Sequence, residues 1–170
     1  VQRWIDSLHD KSTTYPNSTH TTQLIVGANS ESDMEILNRM EKIYKKTNLK
    51  RTYFSAFTPI EGTDLENKVE CSTDRTKILY NADSLLNDYK FKLKELVFDK
   101  DENLSLQNDP KIIAAKNMDI FPVEINSAPY IELIRVPGIG VKSAKNIISI
   151  RKKIPFKNKE EAEPDRKSVV

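Results

Sequence analysis

Apolar residues at Ile36, Leu37, Met40, Ile43 and Tyr44 recur at helical spacing, and Ser32-Asp33-Met34-Glu35 ahead of them reads as a capping box. The pattern predicts a helix from there to about Lys46, stopping near Asn48. Residues 22–27 (TQLIVG) form a short apolar run that reads as a buried strand. Residues 51–58 (RTYFSAFT) are rich in aromatic and β-prone types and stop at Pro59, so they read as a second strand. Strand, helix and strand with short joints make a βαβ unit, with parallel strands and a right-handed crossover. Two strands do not make a stable sheet alone, so further strands are expected from elsewhere.

Residues 59–63 (PIEGT) read as a turn. Residues 72–90 predict a helix with Ile78, Leu79, Ala82, Leu85, Leu86 and Tyr89 on one face, and residues 91–97 a shorter amphipathic segment. Residues 99–108 read as a polar connector. Asp109-Pro110 is an N-cap followed by proline at the first helical position, opening a helix through Ile112, Ile113 and Ala115. At the front, a short helix is expected around Trp4, Ile5 and Leu8, followed by a Ser/Thr/Asn/Pro loop. No internal repeat is found.

The segment Val136-Pro137-Gly138-Ile139-Gly140-Val141-Lys142-Ser143-Ala144-Lys145 carries the chemistry. Two glycines one residue apart permit a tight turn and the close approach of another group. Pro137 fixes φ just before that turn, and a helix is expected over residues 141–150. The first N–H groups of such a helix lack internal partners and lie at the positive end of its dipole. An anionic oxygen is their natural ligand. The candidate DNA-binding residues are Gly138, Ile139, Gly140, Lys142, Ser143 and Lys145, with the N–H groups of Gly138, Ile139, Gly140 and Lys142 as phosphate donors. Ser143 adds a further hydrogen bond.

Residues 123–156 resemble a helix-hairpin-helix DNA-binding module of the kind found in competence DNA receptors and many repair proteins. Asn126-Ser127-Ala128 is expected to open its first helix, Glu132-Leu133 lies within it, and Ala144 packs against the hairpin. The competence-type members continue into a second, degenerate hairpin. Pro155-Phe156-Lys157 is similar to its approach, after which the tail departs from the pattern.

Charge agrees with that resemblance. Residues 135–157 hold seven basic side chains and no acidic one. The whole chain carries +2 and the tail from residue 158 carries −1, which leaves −4 on residues 1–134. The positive charge is therefore concentrated on the hairpin segment, as an electrostatic footprint on DNA requires. Contacts of this kind position a protein without reading bases, so binding is expected to be sequence-independent and salt-sensitive. A single hairpin makes few of them, and its affinity alone is expected to be weak, about 10⁻⁴ M at physiological salt.

Composition sets outer bounds. The 170 residues allow one ordinary domain or two small ones, with 38% hydrophobic and 31% charged residues. A lone cysteine, Cys71, excludes an internal disulfide and any multi-cysteine metal site built from this chain alone. No stretch has the ~18 apolar residues of a membrane helix and no signal-peptide pattern opens the chain, so a cytoplasmic protein without membrane contact is the default expectation. The start at Val1 and the polar tail lead us to expect a piece of a longer protein.

A second resemblance covers the first half. Residues 24–31 (LIVGANSE) are similar to the glycine-and-glutamate segment after the fifth strand of a radical SAM barrel, and residues 57–66 (FTPIEGTDLE) to the F-x-P-x-x-G-T-x-L-E segment after the sixth. With Asp109-Pro110-Lys111, Phe121-Pro122-Val123-Glu124 and the hairpin, residues 21–156 resemble the DNA modification/repair radical SAM proteins that carry a C-terminal helix-hairpin-helix. The resemblance implies an α/β fold: the end of a radical SAM (βα) barrel as a βαβ unit, followed by an all-α hairpin module. It divides the chain into an irregular lead-in (1–20), the barrel part (21–66), a helical connector (67–120), the helix-hairpin-helix (121–157) and a polar tail (158–170). For the intact protein it implies S-adenosylmethionine and a 4Fe–4S cluster held by a CxxxCxxC loop that this chain lacks. It places Gly27, Ser55 and Phe57 near the adenosyl group, and implies as partners DNA, the N-terminal part of the barrel and a uracil-DNA-glycosylase-like protein. The residues leave open a non-catalytic helix-hairpin-helix protein of repair or DNA uptake, and a domain whose hairpin docks a partner helix.

Other candidates read as structural. His9 and His20 stand in a polar stretch with no partner at ligand spacing and read as surface residues. Cys71 reads as an ordinary thiol beside a helix start, and Tyr53, Phe54 and Phe57 as core aromatics. Asp64, Glu66 and Glu70 form no acid–base pair.

Overall fold

The structure, a computed structural model, describes residues 20–47 and 49–157. Strands β1 (His20–Val26) and β2 (Leu49–Ala56) pair in parallel, joined through helix α1 (Asp33–Lys46), so the βαβ unit expected from the hydrophobic pattern is present. Leu24 lies opposite Phe54 and Val26 opposite Ala56. Each strand starts two residues earlier than the apolar runs indicate, β1 through His20 and Thr21 and β2 through the buried Leu49 and the exposed Lys50. The expected helix around Trp4 and His9 lie outside the described residues.

α1 begins where Ser32 and Glu35 exchange hydrogen bonds, the Glu35 N–H to Ser32 Oγ at 3.1 Å and the Ser32 N–H to the Glu35 carboxylate at 3.0 Å. It buries Ile36, Leu37, Met40 and Ile43 against the sheet. Helix α2 (Thr73–Asn87), capped by Ser72, adds Ile78, Leu79, Ala82 and Leu85 to the same core. The connector is thus part of the core and not a spacer. Residues 91–97 form a single 3₁₀ turn (Leu93–Glu95), not a helix, although Phe91 and Leu96 are buried as the amphipathic pattern requires. Helix α3 (Pro110–Lys116) starts as expected, with the Asp109 carboxylate accepting the Lys111 N–H at 2.8 Å, and contributes Ala114 to the core.

One face of the sheet is covered and the other is open. Val26, Thr52 and Phe54 are buried beneath the helices, whereas Gln23, Ile25, Arg51 and Tyr53 are exposed. Tyr53 is therefore not core: alternation along β2 turns it outward, with the Arg51 guanidinium 5.2 Å from its ring centroid. Phe54 and Phe57 are buried as expected. The two sheet edges also differ. The N–H groups of Thr52 and Phe54, on the side of β2 away from β1, donate to the Tyr44 and Tyr80 hydroxyls at 3.1 and 2.9 Å. The outer edge of β1 makes no backbone bond to a described residue.

Asp33 is the polar hinge of this unit. It is 1% exposed, pairs with Arg75 Nε at 2.7 Å and accepts the Leu104 N–H at 3.0 Å. Arg75 also donates to the Glu31 carbonyl at 2.6 Å, so one buried pair fastens α1, α2 and the connector loop together. His20 is half-buried rather than a surface residue, with its Nε2 covered and without a partner among the described residues.

Candidate nucleic-acid interface

Residues 120–157 fold around a second, smaller core of Ala128, Leu133, Ile134, Ala144 and Ile147. Helix α4 (Tyr130–Leu133) is a single turn that begins after Pro129. The expected helix opening at Asn126-Ser127-Ala128 is instead a turn, in which the Ala128 N–H donates to the Glu124 carbonyl at 2.8 Å. Asn126 has another task. Its amide donates to the Phe156 carbonyl at 2.9 Å and accepts the Phe156 N–H at 2.8 Å, closing the two ends of the module on each other.

Between α4 and helix α5 (Val141–Arg151) the chain reverses through Val136-Pro137-Gly138-Ile139. The Ile139 N–H donates to the Val136 carbonyl at 3.1 Å and Gly138 has φ +86°, the arrangement of a type II turn with proline second and glycine third. Gly140 then caps α5 without a side chain of its own, at φ −89° and ψ 173°. The Ala144 N–H is the first to find a helical partner, the Gly140 carbonyl at 2.9 Å. The N–H groups of Gly138, Gly140, Val141, Lys142 and Ser143 have no partner among the described residues. Ile139 corrects the sequence reading: its N–H is consumed inside the turn and is unavailable to a phosphate. The Val141 N–H, which that reading did not include, has no partner among the described residues.

The charge footprint is also smaller than the basic residues imply. Arg135 is buried, with both oxygens of Glu95 within 2.9 Å of its guanidinium and the Phe91 ring centroid 4.7 Å away. Arg151 is half-buried and donates to the Ile125 carbonyl at 2.7 Å. These two arginines hold the module together. Lys142, Lys145, Lys152, Lys153 and Lys157 remain exposed. Ser143 is half-buried beside the turn.

Two residues that the sequence did not single out for binding lie against the turn. Lys111 Nζ donates to the Ile139 carbonyl at 2.6 Å and sits 4.6 Å from the Tyr89 ring centroid. Burial pushes the Lys111 ammonium down to about 8, against the opposing pull of Asp109. A cleft of about 460 Å³ opens here, lined by Tyr89, Asp109, Lys111, Gly138, Gly140 and Ser143 among others. One signal was present in the sequence: Lys111 stands in the first turn of a helix, where the dipole disfavours a cation, so a tertiary partner was to be looked for.

The residues assigned to an adenosyl group lie at or just past the carboxyl ends of the strands. Gly27 follows β1 at φ +89°, and a Cβ there would come within 2.7 Å of Cys71 Cβ, so Cys71 fills the space beside it. The Ser55 hydroxyl accepts from Gln23 Nε2 at 2.6 Å, and Phe57 is buried with its N–H on the Val26 carbonyl at 2.9 Å. Cys71 is the chain's single thiol and does not fit a site that needs three thiolates. Among the described residues no group of three His, Cys, Asp or Glu side chains gathers at metal-binding distance, and no helix is long and apolar enough to cross a membrane.

No curated protein and no solved structure matches the chain. Residues 120–161, which contain the glycine turn, its row of unpaired N–H groups and the exposed lysines, match the helix-hairpin-helix motif.

Proposed function

We propose that this protein binds DNA through the sugar–phosphate backbone, with the N-terminus of α5 as the anchor. The observation that carries the reading is the run of N–H groups from Gly140 to Ser143 that have no partner among the described residues, behind a side-chain-free cap and flanked by exposed Lys142 and Lys145. Each such donor aimed at a phosphate oxygen makes a charge-assisted hydrogen bond, and the helix dipole adds to it. Anisotropy titrations of labelled single- and double-stranded oligonucleotides of unrelated sequence test this between about 50 and 200 mM salt. The expected result is similar affinity for every sequence and a linear fall of log K with log salt. Absence of binding at the low-salt end, or strong preference for one sequence, overturns it.

A second reading concerns the rest of the chain: this is the C-terminal portion of a DNA modification/repair radical SAM protein. Support comes from the parallel β1–α1–β2 unit with one face open, its β2 edge closed by Tyr44 and Tyr80 and its β1 edge without a backbone partner among the described residues. Such an arrangement is compatible with a terminal strand pair that takes further strands on the β1 side. In this reading the N-terminal part of the barrel pairs with β1 and holds the 4Fe–4S cluster, since a lone cysteine does not. S-adenosylmethionine, a uracil-DNA-glycosylase-like partner and action in the cytoplasm belong to the same proposal. The encoding gene is expected to specify three closely spaced cysteines ahead of this segment, and a frame without them refutes it. A non-catalytic DNA-binding protein is the reading that then remains.

A further inference from the structure

The Lys111 ammonium is an unusual charge for its place. The residue is 8% exposed and forms no ion pair among the described residues. Its partners are the Ile139 carbonyl oxygen at 2.6 Å and the face of Tyr89. Asp109 is the one carboxylate lining the same cleft, and it is already engaged as the cap of α3, accepting the Lys111 backbone N–H at 2.8 Å. An ammonium has three donors, and a carbonyl and a ring face do not neutralise it. Buried charges are ordinarily paired, because burial alone disfavours the charged form. The cleft that Lys111 lines is the one onto which Gly138, Gly140 and Ser143 open.

We propose that Lys111 is a phosphate ligand supplied from outside the hairpin, its ammonium pairing with the same DNA phosphate that the α5 N-terminus captures. The inference rests on the DNA-binding reading above. Its bond to the Ile139 carbonyl fixes the turn against α3, and the phosphate supplies the anion that the buried cation lacks. The interface then includes the connector, so the hairpin excised alone binds more weakly than the chain.

A pH signature follows from the groups that face one another here. Asp109 from the cap of α3 and Tyr89 from the end of α2 are the other titratable side chains of the cleft, and the hairpin contributes none. Burial lowers the Lys111 ammonium to about 8, so its charge changes within the range of the assay. Phosphate favours the ammonium, so affinity is full below that pH and falls as pH rises through it, by at most tenfold per unit for one linked proton.

The test uses the full chain, a labelled DNA duplex at about 50 mM salt, and pH from about 6.5 to 9.5. Wild type is expected to weaken several-fold between about pH 7 and pH 9. Lys111→Met is expected to bind about tenfold more weakly at neutral pH, to lose that pH dependence and to show a salt slope smaller by about one. Lys111→Arg is expected to keep the salt slope while losing the pH dependence, whereas a merely structural lysine would leave the salt slope of Lys111→Met unchanged. Wild type that binds DNA beside a Lys111→Met variant with unchanged slope and pH profile overturns this inference and leaves DNA binding intact. Wild type that binds no DNA removes the reading beneath it. If Lys111→Met fails to fold by thermal melting, Lys111→Arg decides: a retained pH profile overturns the proposal.

Discussion

Replacing Gly140 and Gly138 separately by alanine distinguishes a phosphate seat from a mere bend. Gly140 has φ −89°, which any residue adopts, and a Cβ there would lie 3.5 Å from the Tyr89 hydroxyl, an ordinary contact. Alanine gains about 0.4–1 kcal/mol from a less flexible unfolded chain. It loses about 0.5–1 kcal/mol because glycine is the better N-cap. Gly140→Ala should therefore leave stability within about 0.5 kcal/mol of wild type. Gly138 differs: at φ +86° with nothing within 4 Å, its cost is purely conformational. That cost is about 1–2 kcal/mol before the unfolded-state gain, so Gly138→Ala should lower the melting temperature by about 3 °C. On DNA the order reverses. An alanine methyl group at position 140 stands beside the Tyr89 hydroxyl, both residues lining the cleft next to the turn, and if it displaces one charge-assisted bond of about 1.5–3 kcal/mol, binding weakens at least tenfold. Thermal melting and anisotropy on the same samples measure both quantities. A Gly140→Ala protein that melts normally and binds DNA as tightly as wild type refutes the assignment of that helix end to phosphate.

Three further outcomes are expected. Lys142→Ala should weaken binding to all sequences alike and reduce the salt slope by about one, and a sequence-selective loss in competition titrations contradicts the backbone mechanism. Arg135→Ala strands the Glu95 carboxylate and bares Phe91, so it should cost about 3 kcal/mol in denaturant unfolding, largely recovered by pairing Arg135→Met with Glu95→Gln. Asp83, which accepts from the Tyr44 hydroxyl at 3.4 Å, is pushed up to about 6 by burial. Its native form holds the proton more tightly than the unfolded chain does, so its contribution is favourable at low pH and is lost as pH rises from about 4 to 6. After discounting for partial exposure, Asp83→Asn should stabilise the protein by about 1 kcal/mol at pH 7 and by nothing below about pH 4. A stabilisation independent of pH sinks that account.

Local chemistry determined what sequence alone could deliver. The Ser32–Glu35 box, the Asp109-Pro110 start and the Pro137-Gly138 turn each depend on neighbours within about four residues, so residue order fixes them directly. The strands and helices of the βαβ unit were legible for the same reason, since their apolar periods state which face is buried. The tertiary structure decided which polar groups were spent. Arg135 resembles Lys142 in a count of charges, yet contacts with Glu95 and Phe91, some 40 residues earlier, withdraw it from solvent. Asp33 looks like one more acidic residue near a helix start until Arg75 and Leu104 converge on it. Tyr53 and Phe54 share a composition but face opposite sides of β2, and only the helices packed on one face make that difference matter. Lys111 reached the hairpin by chain reversal across 28 residues, a distance at which no periodicity operates. Hydrogen-bond donors and charges act through space, so the sequence set where the interface lies and packing set which atoms remain free to bind.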